Sequence, residues 1–269
     1  MSGRTFAIGD IHGDLEQLID LLKRMGPIGR GDKIVLLGDY LDRGPRSRQV
    51  TEFIRFELPK TGAEIVPLRG NHEDAWLRVI DDGWDGFVLP PGNGCLSCVR
   101  SFTGGPPATL LDQPRDDAEW EQLLTGSFFD DATVDWMRRL PHWHEDDNAL
   151  YVHAGLPRVN GRFLHPSLVD NPAILLWTRT LDFFKEYDGK TAIVGHTVTS
   201  LLPPELSWYS PEDPDDLWAG DRVIALDTGC GKGGFLTAIE LPDLFVWESR
   251  DPRRHRSQVV RDRVLSHSR

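Results

Sequence analysis

Three short polar segments follow one another near the start of the chain: Gly9-Asp10-Ile11-His12-Gly13, Gly38-Asp39-Tyr40-Leu41-Asp42-Arg43-Gly44 and Arg69-Gly70-Asn71-His72-Glu73. Each stands directly behind an apolar run of strand length, at residues 5–8, 33–37 and 64–68. Residues 14–24 lie between the first two runs, with Leu15, Leu18, Ile19 and Leu22 at helical spacing, acids at the start and Lys23-Arg24 at the end. Residues 47–58 place Val50, Phe53, Ile54 and Leu58 on one side of a second helix. This alternation predicts an α/β fold with a largely parallel sheet and helices on its faces. Pro67 is the one residue that weakens the third strand. In open α/β sheets ligands bind beyond the carboxyl ends of the strands, so one architecture brings all three segments to one rim.

The side chains so gathered are carboxylates, imidazoles and an amide, the donor set of hard-to-borderline divalent cations. A pair of such cations needs a shared anionic oxygen, and Asp39 is the best bridge. Asp10 and His12 lie two residues apart and converge on one cation if the backbone turns at Gly9 and Gly13. Asn71 offers a carbonyl oxygen to the second cation. His153 and His196 follow two later apolar runs, at 149–152 and 191–194, and complete that second set. One aspartate at a strand end is ordinarily a cap or turn residue; five such strand ends in one chain are not accounted for that way. The arginines of the second and third segments add charge suited to phosphate, and the combination points to two-metal hydrolysis of a phosphate ester.

The rest of the chain is less regular. Residues 81–148 hold four tryptophans, a Pro90-Pro91-Gly92-Asn93-Gly94 loop and two helical stretches, 117–124 and 133–140, and read as a small helical insertion or cap. Strands return at 149–152, 191–194 and 223–226, and 235–240 with 244–247 form a closing hairpin turning at Pro242-Asp243. Residues 203–216 are a Pro-rich acidic loop. One domain over 1–250 is expected, followed by an Arg-rich tail, 251–269, that reads as a solvated terminus.

The strings GDIHGD, GDYLDRGP, RGNHE, VHAGL and VGHT resemble the calcineurin-like metallophosphoesterases, and more narrowly the phosphoprotein phosphatase family of serine/threonine phosphatases in its bacterial and phage form. They run from Gly9 to about Gly234. The resemblance implies a four-layer α/β/β/α sandwich with mixed sheets. It assigns the first metal to Asp10, His12 and Asp39, and the second to Asp39, Asn71, His153 and His196. His72 would be the general acid, oriented by Asp42, with a metal-bridging water as nucleophile. Arg43 would grip phosphate oxygens, and Arg179 in Leu176-Trp177-Thr178-Arg179 would be the second phosphate arginine. The cofactor is expected to be two divalent ions, Mn²⁺ first, with Fe or Zn²⁺ as alternatives.

A serine/threonine protein phosphatase acting on phosphorylated protein is therefore the leading expectation, with another small phosphate ester as a possible substrate. The alternative is a symmetrical diadenosine tetraphosphatase, from a neighbouring branch expected to replace the Asp of DRG and to read GNHD; Asp42 and Glu73 favour the protein phosphatase. A non-catalytic binding module would have lost ligands, and none is missing. The net charge of −12 argues against sequence-independent nucleic-acid binding. No apolar run approaches the roughly 20 residues that span a bilayer, and no signal segment precedes residue 5. Cys95, Cys98 and Cys230 are too few for a disulfide framework and fit a reducing cytoplasm. Cys95-Leu-Ser-Cys98 has zinc spacing without a second pair and reads as two ordinary loop residues. A monomer is expected.

Overall fold

The computed structural model describes residues 3–209 and 212–250; the Arg-rich tail, 251–269, lies outside them. Two five-stranded mixed sheets form the centre. The first runs β12-β11-β1-β2-β3, with β1 (Thr5–Ile8), β2 (Lys33–Leu36) and β3 (Glu64–Pro67) parallel, and β11 (Thr237–Leu241) and β12 (Phe245–Glu248) antiparallel as a hairpin. The second runs β4-β5-β8-β10-β9, with β5 (Leu150–Val152), β8 (Ala192–Val194) and β10 (Val223–Ala225) parallel, flanked by β4 (Trp143–Glu145) and β9 (Trp218–Ala219). A two-stranded ribbon, β6 (Arg158–Val159) with β7 (Arg162–Phe163), stands apart. Pro67 ends an edge strand, where its missing N–H costs no ladder bond.

Strand alternation sorts the core into layers. Phe6, Ile8, Ile34 and Leu36 face α1 (Leu15–Arg24) and the helical stretch that begins with α2 (Ser47–Glu52), where they meet Leu18, Leu21, Val50 and Ile54. Ala7 and Val35 point the other way, into an apolar layer shared with Tyr151, Ile193 and Ile224 of the second sheet. The far face of that sheet carries Leu150, Val152, Val194 and Val223 against α8 (Ile174–Trp177) and α9 (Leu181–Glu186), through Leu175, Phe183 and Phe184. The layers are α/β/β/α, as expected.

Residues 81–148 are more helical than the sequence suggests. After α3 (Asn71–Asp82) come α4 (Asp85–Val88), α5 (Cys95–Thr103), α6 (Asp117–Thr125) and α7 (Asp131–Arg139). Cys95 and Cys98 sit on α5 rather than in a loop, buried and unpaired. Helices α4, α6 and α7 pack against α3 and α5 packs against α2 and α6, with all four contributing to one core that includes Trp76, Val79, Phe87 and Val99. A buried ion pair between Arg100 and Glu119 (3.0 Å) joins α5 to α6. Trp208 donates from Nε1 to the Gly220 carbonyl (2.9 Å) and anchors the Pro-rich loop on the inter-sheet layer. Among the described residues no helix is long and apolar enough to cross a membrane.

The C-terminal hairpin is tied to the 212–217 loop by Arg250, which reaches Glu248 (2.5 Å) and Asp216 (3.4 Å). Burial, and then the neighbouring Glu248 carboxylate, push Asp216 up to about 7. With the folded value above the ordinary carboxylate value, the stability this group contributes is full below about pH 4 and is lost as pH rises toward 7. Asp216→Asn should gain roughly 1–3 kcal/mol relative to wild type between pH 5 and pH 8, read by thermal denaturation across that range. Parallel pH profiles for the two proteins would contradict it.

Candidate active site

Every element of the site leaves the carboxyl end of a parallel strand. Asp10 and His12 follow β1, Asp39 follows β2, Asn71 and His72 open α3 behind β3, His153 follows β5, and His196 follows β8. The two sheets thus deliver their ligands to one place, and Asp10, His12, Asp39, Asp42, Asn71, His72, His153 and His196 are all buried. Their loops turn sharply. Of the seven non-glycine residues with positive φ among the described residues, five are His12, Asp39, Asp42, Arg43 and His196. Such backbone is costly and clusters at functional sites. Two glycines allow the close approach: a Cβ on Gly195 would lie 2.0 Å from Asp10 Oδ1, and one on Gly70 2.2 Å from Asp39 Oδ1.

Asp39 is the centre. Its Oδ2 lies 3.5 Å from His12 Nε2 and 3.8 Å from His72 Nε2, and its Oδ1 lies 3.4 Å from His153 Nε2. The backbone N–H of His72 also donates to Oδ1 (3.0 Å). On one side Asp10 Oδ2 stands 4.0 Å from His12 Nε2. On the other, Asn71 Oδ1 is 3.0 Å from His153 Nε2 and 2.8 Å from His196 Nδ1. The metal ligands expected from the sequence therefore meet as two groups sharing Asp39.

The imidazoles are aimed from behind. His12 Nδ1 donates to the Leu41 carbonyl (3.0 Å) and His153 Nδ1 to the Leu37 carbonyl (2.8 Å), leaving both Nε2 lone pairs toward Asp39. This is how metal-ligating histidines are oriented. His12 Nε2 is buried with no hydrogen-bond partner, which fits a cation and is otherwise an uncompensated cost. Burial holds His12, His153 and His196 below the ordinary imidazole value, the neutral form that ligates. Burial would raise Asp39, but His153, His72, His12 and the His72 N–H hold it well below the carboxylate range. Burial, then Asp227 and Asp39, hold Asp10 well above that range.

His72 is held differently. Its Nδ1 bonds Asp42 Oδ2 (2.6 Å), and the ring packs edge-on against Phe87. His72 also lies within ligating distance of a cation between His12 and Asp39, but its strong bond to Asp42 sets it apart from the carbonyl-backed histidines. Trp76 Nε1 donates to Asp42 Oδ1 (2.9 Å) and fixes the far side of that carboxylate. The sequence reading missed this support, although His72 and Trp76 are one helical turn apart on α3 and so share a face.

The cationic residues divide. Arg43 is half-buried and its Nε is without a partner. Arg179 is exposed at the rim and its Nε donates to His196 Nε2 (2.8 Å). Arg69 turns away, to the Arg138 carbonyl (2.6 Å) and Asp74 (3.9 Å), and adds no charge to the centre. Asp227 is buried, pairs with Lys232 (3.0 Å) and acts on Asp10 through its charge. His144 and His165 contact Lys33 and Glu145, outside the cluster.

Because one carboxylate serves both groups, Asp39→Asn should weaken two bound Mn²⁺ equivalents together, about tenfold or more each. Isothermal titration checks this; retention of two full-affinity equivalents would remove Asp39 from the centre.

The profile of the calcineurin-like phosphoesterase family matches residues 3–200. A symmetrical bis(5'-nucleosyl)-tetraphosphatase of Nitrosospira multiformis is 31% identical over 293 residues, covering 91% of this chain and 94% of that protein. An asymmetrical bis(5'-nucleosyl)-tetraphosphatase of Geobacillus sp. is 28% identical over 261 residues, with coverage of 88% and 90%. Among solved structures, a metallophosphoesterase from Sphaerobacter thermophilus shares the fold, with a TM-score of 0.50 at 18% identity over 92% of this chain and 87% of that one. With the match spanning most of the described residues and a buried Asp/His/Asn cluster at the strand ends, the chain belongs to the calcineurin-like phosphoesterase family and is a metal-dependent phosphoester hydrolase.

Proposed function

We propose that this enzyme hydrolyses dinucleoside polyphosphates of the bis(5'-nucleosyl) tetraphosphate type. The observation that carries the reading is the set of relatives with that name, aligned over nearly their whole length at 24–31% identity. The leading expectation from sequence, a protein phosphatase, rested on Asp42 and Glu73. Both are buried supports: Asp42 orients His72, and Glu73 accepts four backbone N–H groups. Glu73, a backbone clamp, does not select between the two classes, and Asp42 bears on them only through His72.

The roles proposed for the residues follow the geometry. Asp10, His12 and Asp39 hold one cation, and Asp39, Asn71, His153 and His196 the other. Two cations held there would activate water as a nucleophile near neutral pH and offset phosphate charge. Mixed oxygen and nitrogen donors suit Mn²⁺, Fe or Zn²⁺, and Mn²⁺ is the cation proposed. Arg43 and Arg179 bind phosphate oxygens. His72, fixed by Asp42, delivers a proton from Nε2 to the leaving oxygen. All of these residues come from one copy of the chain, within a unit taken as 1–250 with 81–148 as its cap. The three buried free cysteines support a cytoplasmic setting.

One observation favours the protein-phosphatase reading. A nucleotide leaves as a phosphate, which needs little help from an acid, whereas a serine or threonine alkoxide needs a proton. The short Asp42–His72 bond is built for the harder case. The test is an Mn²⁺ assay of diadenosine tetraphosphate beside a phosphothreonine peptide, with an EDTA control. Dinucleotide cleavage abolished by EDTA, with the peptide far slower, is expected; peptide turnover alone would reverse the assignment. In the same assay His72→Asn should slow peptide turnover by about 10²–10⁴-fold and the dinucleotide much less. An equal loss on both, with cations retained, would contradict the proton-donor role.

A further inference from the structure

A cavity of about 390 Å³ opens beside the buried Asp/His cluster, between residues 88–97, the 108–114 segment and the turn at Gly231-Lys232. Its size lies within the range of about 300–1,000 Å³ typical of small-molecule sites. It joins the catalytic centre directly. Gly94 packs on Arg43, whose N–H bonds the Gly94 carbonyl (3.2 Å), and a Cβ on Gly231 would lie 2.6 Å from that of His12. Its lining includes two cations, Arg43 and Lys232; the Lys232 ammonium, paired to Asp227 at 3.0 Å, is partly exposed. It also includes apolar Leu89, Leu110 and Trp120, all open to solvent, while its one acid, Asp112, is paired with Arg100 (2.8 Å). Two lining residues carry buried polar atoms without a partner, Arg43 Nε and Ser97 Oγ. Buried groups left unmatched cost free energy unless something else engages them.

Cations beside the reacting centre, in one cavity with apolar and aromatic walls, match a molecule that carries both phosphate and a flat ring. Neither a phosphopeptide nor inorganic phosphate requires that combination of surfaces. We infer that this cavity binds the nucleotide leaving half of the substrate, with Lys232 and Arg43 on its phosphates and the base against Leu110 and Trp120. The inference rests on the dinucleotide reading for its substrate class. It makes Lys232 a specificity-determining residue.

The test is inhibition of p-nitrophenyl phosphate hydrolysis by the Mn²⁺-loaded full chain, with ADP, tripolyphosphate and inorganic phosphate as probes. ADP should inhibit about tenfold more tightly than inorganic phosphate. Lys232→Gln should raise the ADP inhibition constant about tenfold or more and that of inorganic phosphate less than about threefold. Leu110→Glu, at an exposed position that leaves the core intact, should weaken ADP by a similar factor while leaving tripolyphosphate nearly unchanged. These results would support the subsite even if diadenosine tetraphosphate were not cleaved, which would overturn only the proposed substrate. ADP binding no tighter than phosphate would overturn the subsite. So would a Lys232→Gln loss shared equally by inorganic phosphate, or ADP binding unaffected by Leu110→Glu.

Discussion

The Glu73 carboxylate holds the centre together. It accepts N–H bonds from Gly70 (2.9 Å), Asp39 (2.9 Å), Tyr40 (2.8 Å) and Leu41 (3.3 Å), and so clamps the loop leaving β2 to the loop leaving β3. Asp39 keeps its positive-φ backbone because those bonds over-determine it. The ordering of Leu41 in turn gives His12 Nδ1 its carbonyl partner. Burial and the nearby Asp39 charge push Glu73 up to about 7. A cation beside Asp39 lowers that local negative charge, so metal binding and the clamp reinforce each other. The strained loops and the buried ligands are therefore one unit.

Much of the first half of the fold is legible in the sequence because local pattern and tertiary role agree there. Residues 5–8 and 33–36 are compact apolar runs, and 14–24 repeats its leucines every third or fourth position above an Asp14 cap that accepts from Gln17 N–H. The convergence of Asp10, His12, Asp39, Asn71, His153 and His196 follows from one rule, that parallel strands expose their carboxyl ends at one rim. The helices α4 and α5 were not legible. Asp85–Val88 is a single turn, and Cys95–Thr103 begins beside a Gly-rich loop and gains its stability from packing on Trp76 rather than from its own periodicity. Trp76 escaped for a related reason: its importance lies in a partner from another segment, Asp42, which no motif marks.

A chain of net charge −12 can still present local positive charge to a phosphate ester. Asp10 and Asp39 are buried among the histidines of the cluster. The Arg43 and Lys232 cations border the adjoining cavity, with Arg179 at the rim of the cluster. Local charge, rather than net charge, sets what binds in a concave site. Trp76 of α3 and Phe87 of α4 bury the back of the His72–Asp42 pair, and residues 88–123 supply most of the cavity wall.

Anomalous diffraction from crystals grown with Mn²⁺ tests the central claim most directly. Two peaks flanking the Asp39 carboxylate, about 3.5–4 Å apart, are predicted. One should lie against Asp10 and His12, and the other against Asn71, His153 and His196. A single peak, a peak ligated by His72 in place of Asp10, or density away from Asp39 would contradict the shared-carboxylate centre on which the proposed chemistry depends.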